Sequence, residues 1–368
     1  MKCDILYVIT RGDDIGGANI HVRDMSIWMK KKGFKVVVLT GKKGIFNKKL
    51  NKLGIENYST NFLKRDINII SDLYFLFWFF KFCKKFNPKL ISSHSSKAGI
   101  LCRISSKIFN LGPCIFTAHG WSFTDGINYF SKNLYLIIEK IVGKFSDQII
   151  TVCKSDLNLG LKYKIIPRGK IACVHNGMQY LPQRTTKKEI KNKFTFISVA
   201  RFDKQKDHET LIRALSLINN YDWHLRLVGS GPKESNIKEL CKKNGIYSKV
   251  TFTGRSDNVS ELLEKADIFI LSSLWEGFPR SILEAMRASL PIISTDVGGV
   301  KEAVENNING FTFKRRDYLG LRNHLIYFFE NPEQVIIFGK KSRILFDDNF
   351  TFQTTANKTF SVYKKLMK

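Results

Sequence analysis

Paired cysteines are missing from this sequence. The seven cysteines, at positions 3, 83, 102, 114, 153, 173 and 241, form no CxxC pair, which argues against a disulfide framework or structural zinc and suits a reducing cytosol. Long apolar runs are missing too: the longest, Leu73 to Phe80, falls far short of the ~20 residues that span a bilayer. The opening CDILYVIT runs into RGDD without a small-residue cleavage site, so it reads as a first buried strand, not a signal peptide. There is no DxD, and the histidines lack ligand spacing, so no metal is expected. Carboxylates are scarce, 32 against 60 Lys and Arg, which leaves +28. Such a balance favours an anionic partner: nucleic acid, an acidic membrane or a phosphorylated substrate. The imbalance is heavier in residues 1–180, with 29 basic and 11 acidic side chains.

What is present is an alternation of short β-branched or apolar runs with longer helical stretches, the mark of parallel α/β sheets. ILYVIT, KVVVLT, IENYST, LISSH, CIFTA, QIITVC and IACVH are strand candidates in the first half. Helical stretches at 18–32, 68–86, 97–109, 130–144 and 154–162 lie between most of them. FTFISVA, WHLRLVG, KVTFTG, DIFILSS and PIIST form a second series. The expected organisation is a first Rossmann-like domain at 1–180, a Lys-rich linker at 181–193, a second Rossmann-like domain at 194–347, and a tail at 348–368. Two doubly wound sheets facing across a cleft would place ligands outside the carboxyl ends of their strands.

Four segments after strands carry the chemistry. In WEGFPRSILEAM at 275–286, Pro279 suits the first position of a helix, and the N–H groups around Gly277, Phe278 and Arg280 suit an anion. Glu284 either pairs with Arg280 or Arg287 at helical spacing or accepts from the two hydroxyls of a ribose. Glu276, nearer the helix end, suits the hydroxyls of a second sugar. In VARFDKQKDHETLIRAL at 199–215, Arg201 and Lys206 suit one diphosphate, unless the loop is simply a solvated basic one. VITRGDDIGGANIHV at 8–22 offers Gly16 and Gly17 at a strand-to-helix turn, though not GxGxxG. TAHGWSFTDG at 117–126 offers His119, which either touches a substrate or makes a structural hydrogen bond.

Together these segments resemble glycosyltransferase family four, retaining enzymes of the GT-B fold. The likeness runs through IGGANIHV, HSSKAG, HGWSF, VHNGM, VARFDKQKDHETLIRAL, LVGSGP, FTGRSDNV, EGFPRSILEAM and PIISTDVGGVKEAV, and the E-x7-E of Glu276 and Glu284 is its most specific element. The resemblance implies that Arg201 and Lys206 hold a donor diphosphate and Glu284 its ribose. Glu276, with Gly277 and Phe278 beside it, would meet the donor sugar. Gly254 and Arg255 would face the nucleobase, Gly17 and His119 would close over phosphate and sugar, and the last helix would return to the N-terminal domain. Catalysis would rest on Glu276, His119, Arg201 and Lys206. No cofactor is implied; a UDP-sugar enters as co-substrate. Ser92 stands where many relatives have histidine, while His94 and Lys97 remain as acceptor contacts.

SDLYFLFWFFKFCKKF at 71–86 is unusually aromatic for a surface helix. Helical spacing groups Ile70, Leu73, Leu76, Phe80 and Cys83 on one side, and Tyr74, Trp78, Lys81 and Lys85 on another. The second set suits a lipid headgroup region; burial against a neighbouring element or a dimer partner is the other reading. The resulting expectation is a cytoplasmic hexosyltransferase docked on the anionic inner face of the cytoplasmic membrane. It would move a hexose or N-acetylhexosamine from a UDP-sugar to an undecaprenyl-diphosphate-linked saccharide in surface polysaccharide assembly. A UDP-sugar epimerase of the same fold and a non-catalytic basic nucleic-acid- or carbohydrate-binding protein are the alternatives. No aromatic–basic stacking platform appears, so nucleic acid is not expected.

Overall fold

Two parallel sheets organise the chain, seen in a computed structural model that describes residues 2–124, 126–182 and 193–367. The first unit takes Met1–Asn176 and Thr355–Lys368, and the second takes Gly177–Thr354. Residues 183–192 of the expected linker lie outside the described residues.

In the first unit the strands are β1 (Ile5–Ile9), β2 (Val36–Thr40), β3 (Glu56–Ser59), β4 (Leu90–His94), β5 (Cys114–Ala118), β6 (Gln148–Thr151) and β7 (Ile171–Cys173). Their order is 3-2-1-4-5-6-7, all pairs parallel. β1, β2, β4 and β5 are buried along their whole length, as strands covered by helices on both faces must be. The second unit has β8 (Phe194–Val199), β9 (Trp223–Val228), β10 (Val250–Gly254), β11 (Ile268–Leu271), β12 (Ile292–Thr295) and β13 (Gly310–Phe313), in the order 10-9-8-11-12-13. Counted from its own first strand, that is 3-2-1-4-5-6, the doubly wound order. Strand order therefore reverses between β1 and β4 in one unit and between β8 and β11 in the other, and a crevice opens there at the carboxyl ends.

Every strand expected from the sequence is present; β13 and the helix Ile45–Lys52 were not anticipated. The helix Ile69–Phe86 shows the larger difference. Its buried face is Phe75, Phe79, Phe82, Cys83 and Phe86, whereas Ile70 and Leu73, which helical spacing grouped with Cys83, are 70% and 53% exposed. The helix is apolar almost all round, so periodicity cannot choose a face, and the bulkier rings take the core because they remove more area from water. Trp78 is half-buried against Phe82, at 5.0 Å between ring centres; Tyr74, Lys81 and Lys85 are exposed. No described helix is long and apolar enough to cross a membrane.

Candidate active site

In the second unit the two loops at the reversal point are laced together. After β8, Phe202 is fully buried and Asp203 Oδ1 accepts from the amides of Gln205 and Lys206 at 3.0 and 3.3 Å. After β11, Ser272 Oγ donates to the carbonyls of Lys206 and Asp207 at 3.1 and 2.8 Å. Gln205 Nε2 donates to the Trp275 carbonyl at 2.8 Å, and the Leu274 amide donates to that of Gln205 at 2.7 Å. These bonds bring two residues seventy positions apart into one ion pair: Lys206 Nζ donates to Glu276 Oε1. The side chains are only 17% and 8% exposed, and Ser273 Oγ donates to the same carboxylate oxygen at 2.6 Å. Oε2 of Glu276 carries no hydrogen bond among the described residues.

Arg201 points away from this knot. Its side chain is 63% exposed and reaches Asp203 only at 3.8 Å, so its guanidinium fork remains open to an anion. The helix Arg280–Arg287 begins one residue later than expected, with Pro279 as its extended N-cap. The Gly277 amide just before it has no acceptor among the described residues, as the positive end of a helix presents to an anion. Gly298 holds this turn from behind: at φ +54°, a Cβ there would stand 1.9 Å from the Glu276 carbonyl oxygen. The Gly299 amide donates to the Gly277 carbonyl at 2.8 Å. Only glycine lets the DVGG loop lie so close.

Among the described residues Glu284 makes no ion pair. Arg287 instead donates to the Gln179 carbonyl at 2.8 Å and Ser260 Oγ at 2.9 Å. Burial raises the Glu284 pKa above the ordinary carboxylate value, while Arg280 and Arg287 pull it back. Gly254, at φ +71°, ends the edge strand β10 two strands from the reversal point. Its carbonyl accepts from Gly229, and Arg255 Nε donates to Ser230 Oγ at 2.9 Å. Neither residue touches Lys206 or Glu276. A cavity of about 540 Å³ opens among Lys204, Asp207, His208, Lys233 and Arg316; neither Lys206 nor Glu276 lines it.

The first unit builds a histidine cluster at its own reversal point. His94, expected among the acceptor contacts, ends β4 and is fully buried. Its Nδ1 lies 3.0 Å from His119 Nε2, and its Nε2 lies 3.1 Å from Ser92 Oγ. Tyr363 of the last helix, Phe352–Lys364, lies 2.7 Å beyond Ser92. His21, buried on the helix Gly17–Lys31, packs its ring 5.5 Å from His94 and 5.2 Å from His119. Burial, then the two neighbouring imidazoles, holds the His94 pKa well below that of an ordinary histidine. Gly17 opens its helix at an exposed N-terminus, with Gly16 as N-cap. Lys97 does not join the cluster: it pairs with Asp72 at 2.5 Å and donates to the Asp66 carbonyl at 3.2 Å.

Sequence reasoning missed the Lys206–Glu276 pairing, Ser273, the seat at Gly298, and the line from His119 to Tyr363. Ser273 and the glycines were visible in the motifs, but their partners lie 3 to about 270 positions away and only the fold brings them together.

Two parallel doubly wound units, each with a polar cluster at its reversal point, define the GT-B class of glycosyltransferases. Sequence comparison agrees: residues 15–179 match the profile of Glycosyltransferase Family 4, and 182–344 that of Glycosyl transferases group 1. The chain belongs to glycosyltransferase family four. It is 28% identical to the Escherichia coli UDP-Gal:alpha-D-GlcNAc-diphosphoundecaprenol alpha-1,3-galactosyltransferase, over 72% of each chain. It is 29% identical to the E. coli O-antigen biosynthesis glycosyltransferase WbnH, over 82% of this chain and 83% of that one. Among solved structures it resembles Anabaena Alr3699/HepE in complex with UDP-glucose, with a TM-score of 0.85, 18% identity, and 99% and 100% of the two chains covered.

Proposed function

We propose that this glycosyltransferase is a retaining, metal-independent hexosyltransferase. It moves a hexose or N-acetylhexosamine from a UDP-sugar to a saccharide on a lipid diphosphate, in surface polysaccharide assembly at the inner face of the cytoplasmic membrane. The single observation that carries this reading is the constellation at the β8–β11 reversal point. There an outward Arg201, the Lys206–Glu276–Ser273 knot, the Gly277 amide and Glu284, which has no ion pair among the described residues, stand within two loops and one helix. The names of the two E. coli relatives, one acting on a diphosphoundecaprenol-linked sugar and one in O-antigen biosynthesis, support the acceptor class. The UDP-glucose complex of the Anabaena neighbour supports the donor class.

Each residue then has a task. Arg201 and Lys206 neutralise the leaving diphosphate, and the Gly277 and Phe278 amides add the helix dipole. Glu284 accepts from both ribose hydroxyls. Oε2 of Glu276 accepts from a donor-sugar hydroxyl, while Oε1 stays on Lys206 and Ser273. Gly254 and Arg255 take the base, and Gly17 and His119 act on phosphate and sugar. Transfer proceeds on the front face: the bond from C1 to the diphosphate oxygen breaks, the acceptor oxygen bonds to C1, and the acceptor's proton passes to the departing oxygen. Stabilising that departing charge is the chief catalytic term. No divalent ion is needed for it.

A donor screen reading UDP release, with and without a polyprenyl-diphosphate disaccharide and with and without EDTA, tests the reading. Acceptor-dependent, EDTA-insensitive release is expected. Release of UDP without acceptor favours an epimerase, and loss of turnover in EDTA overturns metal independence.

A further inference from the structure

The helix Tyr129–Gly143 carries an apolar stripe that nothing in the first unit covers. Tyr129 and Phe130 are 73% and 85% exposed, and Leu134, Ile137 and Ile141 are 50%, 54% and 54% exposed. Phe130, Leu134, Ile137 and Ile141 recur at i, i+4, i+7 and i+11, a single line along a helix. The helix cannot roll to hide this line, because its other face is already fixed. Glu139 is buried and accepts from Arg103 Nη2 at 2.9 Å. Gly143 lies so close to its neighbour that a Cβ would stand 2.3 Å from the Ile165 carbonyl oxygen. Tyr135 and Leu136 lean on the core.

Charge selects the occupant. Lys140 lies on the helix and Lys144 just past it, both exposed beside the line, while the helix's one carboxylate, Glu139, is consumed inside. The outward surface is therefore apolar and cationic. We propose that this helix lies in the interface of an anionic bilayer, its rings and aliphatic side chains among the acyl chains and its lysines at the phosphates. The proposal rests on the lipid-linked acceptor argued above and names the element that meets the lipid. A second copy of this chain fits worse. A two-fold contact would press this cationic edge onto an identical surface, with no acid on the helix surface to pair it. The helix Ile69–Phe86 also exposes Ile69, Ile70, Leu73, Tyr74 and Phe77, but its lysines at 81, 84 and 85 all follow them, whereas Lys140 and Lys144 alternate with Ile137 and Ile141. The loop that carries His119 runs directly into the helix Tyr129–Gly143.

The test is sedimentation of the full chain with vesicles of phosphatidylcholine alone or with phosphatidylglycerol, at physiological salt. The wild type should pellet with the anionic vesicles only. Leu134→Glu with Ile137→Glu should lower the bound fraction at least tenfold, with circular dichroism unchanged; Tyr74→Glu with Phe77→Glu should change it less than twofold. Phe130→Ser, at the most exposed position, gives a second reading if the double variant misfolds, and should lower binding several-fold. Three results would overturn the proposal: a wild type that ignores anionic vesicles, loss confined to the Tyr74/Phe77 variant, or a dimer broken by the Leu134/Ile137 variant with vesicle binding intact. Failure of the proposed function would appear separately, as no UDP release from any donor with lipid-linked acceptor in detergent.

Discussion

Lys206 and Glu276 pose a problem that either residue alone would not. Each is mostly buried and each neutralises the other, so deleting one leaves a lone charge in a poorly solvated place. By general experience with such pairs this costs about 3 kcal/mol, and the loss of activity in a single variant would then mix chemistry with folding. Pairing the substitutions separates the two. Lys206→Met alone should lower the urea midpoint and reduce kcat at least about 100-fold, the scale of one lost electrostatic stabiliser. Adding Glu276→Gln should restore most of the midpoint and none of the kcat. If turnover returns along with stability, the pair is a structural clasp and the leaving group is held elsewhere. The knot also explains how two short loops keep one geometry: Asp203, Ser272 and Gln205 fix the backbone, so the charged ends have little freedom to lose when substrate binds.

At the scale of elements, the last helix has a role beyond packing. Tyr363 is fully buried, and burial pushes its pKa up to about 12, so its hydroxyl stays protonated and can donate to Ser92. With Tyr363 donating, Ser92 donates in turn to Nε2 of a neutral His94, whose Nδ1–H then points at Nε2 of His119; the three contacts are 2.7, 3.1 and 3.0 Å. The line fixes one tautomer of His119 from three residues away. Tyr363→Phe removes the first donor without removing the ring. It should cost about 1 kcal/mol of stability, lower kcat about tenfold and move the acid limb of the kcat–pH profile; Ser92→Thr, which keeps the hydroxyl, should behave as wild type. A shifted midpoint with an unmoved pH profile would reduce Tyr363 to a packing residue. Ser92, His94 and His119 stood out in the sequence, but the line joining them to Tyr363 was not legible, because Ser92 and Tyr363 lie about 270 positions apart. The strands were legible because β-branched runs buried on both faces have few other homes. The E-x7-E turn was legible because loop and helix are local. β13 is four residues, GFTF, too short to outweigh the helical tail around it, and the helix Ile45–Lys52 is mostly polar, with three buried residues. The inner face of Ile69–Phe86 failed for the opposite reason, an excess of apolar choices.

For the molecule as a whole, the excess of positive charge makes acid the natural stress. Protonating carboxylates on a chain already at +28 raises self-repulsion in the compact state. Each unit adds a buried neutral histidine to that burden, His94 in the first and His208 in the second. His208 stacks on Phe202 at 4.5 Å between ring centres, and burial, with Lys206 nearby, lowers its pKa to about 4. The unfolded chain takes up this proton near the ordinary histidine value of 6.5, the folded chain only near 4. Between those values the unfolded state binds more protons, so stability rises with pH there and is lost as pH falls. His208 alone accounts for about 3 kcal/mol across that window, and the deeply buried His94 acts in the same direction. Urea unfolding at pH 7 and pH 5, followed by tryptophan fluorescence, should show a clear drop in midpoint for the wild type. His208→Gln should be less stable at pH 7, having lost the stack, yet its midpoint should fall less between the two pH values. Equal falls in both proteins would mean that His208 does not govern the acid response and that repulsion among surface charges does.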